Sequence, residues 1–121
     1  MSESPLLPPI EPAAIANLRA IGGGDAGFVG EIVQMFREDT PPSLDELASC
    51  AARGDAERLA KLAHGLKGSA ANFGARHFRA LAERIEAIAK SGDLARAAAA
   101  VADLRAEYDR VLAALDALPP A

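Results

Sequence analysis

Three features of the 121-residue sequence predict an all-α protein folded as an antiparallel bundle of helices. Apolar residues recur at steps of three and four along most of the chain, and no run alternates with the period of a β-strand. Punctuation at Gly22-Gly23-Gly24, Gly54-Asp55, Gly74 and Gly92-Asp93 cuts these stripes into helix-length pieces with short connections. Finally, 29 residues are alanine against four Phe, one Tyr and no Trp, the composition of a thin, helix-packed core.

Residues 1–11 are proline-rich and without periodicity, which predicts a flexible or extended arm. A first helix is expected from Pro12, tolerated at a first helical position, through Ile15 and Leu18 to Ile21. Asp25 is placed to cap a second helix whose stripe is Phe28, Ile32, Met35 and Phe36. Thr40-Pro41-Pro42 interrupts it. Ser43-x-x-Glu46 has the form of a capping box, and Leu44, Leu47, Ala48 and Ala51 resume the stripe, so a kinked helix and two separate helices are both compatible with the sequence.

Two further helices are expected at about 55–72 and 76–90, with Gly-Asp pairs at Gly54-Asp55 and Gly92-Asp93 each serving as a stop followed by an N-cap. The last helix, from about Leu94 to Leu118, carries Leu94, Ala97, Val101, Leu104, Tyr108, Val111, Leu115 and Leu118 at the spacing of a bundle seam. Pro119-Pro120 ends it.

The net charge of -4 has the wrong sign for tracking a phosphate backbone, so nucleic acid is not an expected partner. The single cysteine, Cys50, has no intramolecular disulfide partner, and no Cys/His cluster has metal-ligand spacing. Without a signal-peptide pattern or a run of about 18 apolar residues, the expectation is a cytoplasmic protein that does not enter a membrane.

The stretch Leu62 to Ala75 breaks the local rules. On a helical wheel Leu59, Leu62, Ala63, Leu66, Ala70 and Phe73 share one apolar arc, and His64 points roughly 150° from its centre, toward solvent. Ala60, Gly68 and Ala71 lie on neighbouring turns of that face, with Lys61, Gly65 and Lys67 beside them. Gly65 and Gly68 each forgo about 1 kcal/mol relative to alanine in a helix. Packing does not call for Gly68 on the solvent side; close approach by another molecule does.

A lone exposed histidine is ordinarily plain surface, and so is a lone lysine. Here the joint pattern matters. A neutral imidazole nitrogen is a competent nucleophile near neutral pH. Lys67, one turn on, places a cation beside any anionic group carried on that nitrogen, an attraction of about 1 kcal/mol in water and up to about 4 kcal/mol at an effective dielectric of 20. A phosphoryl group is the ligand that fits. His77 lacks such a platform and reads as structural or surface. Ser69 and Asn72 read as a back-bonded hydroxyl and a helix-end partner.

The run His64-Gly-Leu-Lys67-Gly68-Ser69-Ala-Ala-Asn72-Phe-Gly74-Ala75 closely resembles the signature of histidine-containing phosphotransfer (HPt) domains of multistep two-component signalling. The resemblance extends from about Ile15 through Leu115. It implies an up-and-down four-helix bundle with an additional short N-terminal helix, spanning about residues 12–118. It also implies a phosphoacceptor role for His64, stabilisation of phosphoryl charge by Lys67, and a small position at Gly68 where a receiver domain approaches. By register Glu86 matches the residue that orients the imidazole, and Lys90 a second basic position. Read on its own, Glu86 lies at the boundary of its helix and could equally pair with Lys90 at i+4.

The implied function is a phosphorelay intermediate, accepting a phosphoryl group from the aspartate of one receiver domain and passing it to another. Its implied partners are response-regulator receivers and a hybrid sensor histidine kinase. No cofactor is expected on this chain, Mg²⁺ belonging to the receiver, and the carrier has no ATP site of its own. A closed bundle of this size is expected to be monomeric. Two other readings share the scaffold: the dimerisation and phosphoacceptor part of a sensor histidine kinase, which Gly65 disfavours by standing where that class has an acidic residue, and an HPt-like binding module without transfer.

Overall fold

The computed structural model describes residues 8–24 and 26–118, so the expected cap at Asp25 and the stop at Pro119-Pro120 lie outside the described residues. Among the described residues there are five α-helices: α1 (Pro12–Ile21), α2 (Ala26–Arg53), α3 (Ala56–Ala71), α4 (Arg76–Ser91) and α5 (Ala97–Asp116). Helices α2 to α5 form a closed antiparallel ring, each packed on two neighbours, and the short α1 leans on α2. None of these helices is long and apolar enough to cross a membrane.

Pro12 opens α1 as expected, but the packed chain begins earlier than the expected arm allows. Residues 1–7 of that arm are outside the described residues; Ile10 is buried. The Glu11 amide donates to the Phe73 carbonyl at 3.0 Å, and its carboxylate pairs with Arg76 at 3.1 Å. This tether explains Gly74. At φ +63° a side chain is strained, and a Cβ there would sit 2.7 Å from Glu11 Cβ.

Helix α2 resolves the alternatives at Thr40-Pro41-Pro42: it is one continuous helix through both prolines. A proline inside a helix lacks the N–H that its residue i−4 carbonyl would accept. Pro41 thus leaves the Arg37 carbonyl without its helical donor, and the Tyr108 hydroxyl, reaching across from α5, donates to that oxygen at 2.9 Å. The capping box expected at Ser43 therefore does not form. Ser43 Oγ donates instead to the Asp39 carbonyl, and Glu46 takes Arg53 and Arg58 at 3.1 and 2.8 Å.

Asp55 caps α3 as expected, its side chain accepting from the Arg58 amide at 3.2 Å. Asp93 does not repeat this. Its own amide donates to Ser91 Oγ, its carboxylate pairs with Arg96, and Leu94–Arg96 form a single 3-10 turn before α5 begins at Ala97.

The core centres on Phe36, whose ring lies 5.2 Å from Phe73, 5.7 Å from Phe78 and 5.4 Å from Tyr108, so that α2, the turn between α3 and α4, α4 and α5 meet at one aromatic cluster. The contacts with Phe73 and Phe78 are edge-on, the arrangement that ring quadrupoles favour. Most of the expected seam on α5 is buried, with Leu94 and Leu118 packed at its margins. Met35 departs from expectation. It is 60% exposed, because the buried face of α2 runs through Val29, Phe36, Thr40, Leu44 and Leu47 and leaves Met35 to one side. Cys50, near the end of α2, is fully buried.

Candidate functional site

The inward face of α3 is set by Leu59, Ala63, Leu66 and Ala70, all buried. That face turns His64 outward, and its side chain is 67% exposed. On the adjacent helix, Phe78, Ala82, Ile85 and Ile88 anchor α4 in the core and leave Glu86 at the seam between the two helices, 13% exposed. Glu86 is where the polar groups converge.

One oxygen, Glu86 Oε2, lies 3.2 Å from His64 Nδ1 and 3.3 Å from Lys90 Nζ; the other, Oε1, accepts from Lys67 Nζ at 3.1 Å. The hydrogen bond from Lys67 holds this carboxyl below the usual carboxylate range. Partial burial pushes the other way, and Lys90 adds to the lowering. Glu86 is accordingly ionised at neutral pH and can only accept. The hydrogen bond to His64 therefore assigns the proton of a neutral imidazole to Nδ1 and leaves the Nε2 lone pair free.

The sequence expected Glu86 either to reach the histidine or to pair with Lys90, and it does both. His64, Lys67, Glu86 and Lys90 thus form one connected cluster. Glu83, which the sequence reading did not single out, also approaches it, with Oε2 3.9 Å from Lys67 Nζ. Its signal was available only in combination: once Lys67 faces Glu86, the residue one turn earlier on α4 falls beside the same ammonium group.

The remaining positions divide by exposure. Gly65, Gly68, Ala71 and Lys61 are exposed on α3, whereas Ala60 is half-buried and packs against the core. A Cβ added at Gly65 or Gly68 would meet no atom within 4 Å. Neither glycine relieves a clash inside the chain, so the helix stability they forgo is not recovered by internal packing. Gly65 also borders an apolar groove of about 360 Å³ between α2 and α3, floored by Phe36, Leu66 and Phe73 and flanked by Met35, Ile32 and Leu62. The α2 wall of that groove is set by how the two helices pair. Ser69 Oγ is back-bonded to the Leu66 carbonyl at 3.0 Å, Asn72 ends α3, and His77 lies half-buried in the first turn of α4.

A bundle that displays a histidine with a carboxylate on one ring nitrogen, a lysine one turn on and open glycine beside it has the makings of a phosphotransfer module. The family model of the Hpt domain matches residues 31–114, more than half of the chain, and the chain belongs to that family. Receiver domains are the partners that this family implies. Among solved structures, the chain is similar to histidine-containing phosphotransfer protein B (HptB) from Pseudomonas aeruginosa PAO1. The identity is 24%, the match covers 92% of this chain and 94% of that one, and the TM-score is 0.83, a likeness of fold. No curated protein matches the chain.

Proposed function

We propose that His64 is the phosphoacceptor of a phosphorelay intermediate, taking a phosphoryl group from the aspartyl phosphate of one receiver domain and delivering it to the aspartate of another. The observation that carries this reading is the contact between His64 Nδ1 and Glu86 Oε2 at 3.2 Å, with the rest of the ring in solvent. The Nε2 lone pair attacks phosphorus, an N–P bond forms, and the P–O bond to the donor aspartate breaks, its carboxylate leaving with the electron pair. The Nδ1 proton stays on the ring, and the positive charge that develops there faces the Glu86 carboxylate. Onward transfer is the reverse at a second receiver.

Lys67 sits one turn from His64, where its ammonium group can meet the phosphoryl oxygens. Lys90 is a second cation held in reserve on Glu86. Gly65 and Gly68 keep the approach open, with Ala71, Lys61 and the edge of Ala60 as the surrounding docking surface. This chain acts as a covalent carrier in the cytoplasm, without an ATP site, while Mg²⁺ and most of the transfer chemistry reside on the receiver; a hybrid sensor kinase is the natural first donor.

Incubation with a phosphorylated receiver tests the assignment. The wild-type chain and His77→Gln are expected to acquire acid-labile phosphate, and His64→Gln to acquire none. Labelling of His64→Gln at the wild-type level would overturn the reading. Labelling by ATP alone would point instead to a kinase fragment.

A further inference from the structure

We propose that Glu83 is a positioning residue for phosphoryl transfer: it is the carboxylate that Lys67 lets go when a phosphoryl group arrives on His64. The proposal rests on His64 being the phosphoacceptor. An ammonium group has three N–H donors. One from Lys67 is committed to Glu86 Oε1 at 3.1 Å, within a seam where Glu86 is 13% exposed and also holds His64 and Lys90. Glu83 is held differently. Its oxygen is 3.9 Å from the same nitrogen, beyond hydrogen-bond length, and its side chain is 51% exposed.

The charges of Lys67, Lys90, Glu83 and Glu86 sum to zero. A phosphoryl group on Nε2 carries about two negative charges on its oxygens, of which the ring that keeps its Nδ1 proton offsets one, so the cluster gains one net negative charge and the phosphoryl oxygens draw on one lysine. Turning Lys67 from Glu83 toward a phosphoryl oxygen is the smallest rearrangement, because the hydrogen bond to Glu86 can remain. Beyond the N–P bond already described, this exchange makes and breaks no covalent bond. It leaves Glu83 unpaired next to a new anion, which raises the energy of phospho-His64 and favours departure of the phosphoryl group. Glu83 thereby sets how long the phosphoryl group rests on this chain.

The test compares wild type with Glu83→Gln, using Asp109→Asn on the exposed face of α5 as a control for net charge. Two quantities are read: the half-life of phospho-His64 after the receiver is removed, and the equilibrium of phosphoryl between a receiver and this chain. Glu83→Gln is expected to lengthen the half-life and shift the equilibrium toward His64 by about two- to fivefold, the range that exposed ion pairs command. Asp109→Asn should do neither. In a Lys67→Met background the Glu83→Gln effect should vanish, since it acts through Lys67. Identical behaviour of Glu83→Gln and wild type, an equal effect from Asp109→Asn, or persistence of the effect without Lys67 would each overturn the proposal. If wild type carries no acid-labile phosphate on His64, the phosphoacceptor reading itself fails, and this proposal falls with it.

Discussion

At position 68 stability and function pull in opposite directions. A glycine in a helix interior is about 1 kcal/mol worse than the best helix formers, and a Cβ at Gly68 would touch nothing. Gly68→Gln should therefore leave the fold intact and raise its stability by roughly 0.5 to 1 kcal/mol. The same variant should bind a receiver more weakly, because the added side chain occupies space beside His64. Thermal unfolding and calorimetric titration with a receiver read the two effects separately; unchanged docking by a folded variant would sink the account of Gly68. The outward direction of His64 and the emptiness around Gly68 were legible in the sequence, since both follow from one helix and its period. The second carboxylate on Lys67 was not, because it depends on which turn of α4 lies opposite α3.

Within α2 the question is how a helix survives two consecutive prolines. Each removes a donor and crowds the preceding turn, a penalty of about 3 kcal/mol in a helix interior. The Tyr108 hydroxyl replaces the donor that Pro41 lacks. Tyr108→Phe is expected to destabilise the protein by about 1 kcal/mol, the usual net worth of such a hydrogen bond. In a Pro41→Ala background, where residue 41 supplies its own N–H to Arg37, the same change should be close to neutral. Urea denaturation of the four proteins closes this cycle. Equal losses in both backgrounds would show that the hydroxyl is not standing in for the proline. Sequence alone left α2 as one helix or two because the group that decides the matter lies 71 residues away. Met35 was misplaced for a related reason: Ile32, Met35 and Phe36 are equally apolar, and only the positions of α3 and α5 select the face through Phe36.

For the whole molecule, the network of ion pairs predicts a stability profile with two shoulders. Hydrogen bonds from Lys67 to Glu86 and from Arg58 to Glu46 lower both carboxyls beneath their ordinary value of 4.5. Such groups contribute fully above the unfolded value, and that contribution is lost as pH falls through the lower, folded one. Burial raises the Tyr108 phenol above its ordinary value of 10.0, so its contribution is full below that pH and is lost as pH rises through the folded value. Urea midpoints should form a plateau across neutral pH, with an acid limb that Glu46→Gln and Glu86→Gln flatten and an alkaline limb that Tyr108→Phe flattens. An acid limb identical in wild type and both Gln variants would contradict the assignment. The bundle architecture was readable because Gly-Asp breaks and three-four spacing are local signals. Of the ionic network, the Glu86–Lys90 pair follows from i+4 spacing on one helix, whereas the pairs of Lys67 with Glu83 and Glu86 and of Arg58 with Glu46 were not readable, since their partners come from different helices.

Cys50 has a practical consequence. It is the chain's only thiol and it is fully enclosed. A cysteine introduced at Ala106, on the exposed face of α5 and away from the docking surface, would then be the single thiol that a maleimide can reach in the folded protein. A fluorophore could be attached there without first removing the native residue, and the arrival of a partner on the His64 face could be followed in real time on an otherwise unaltered chain.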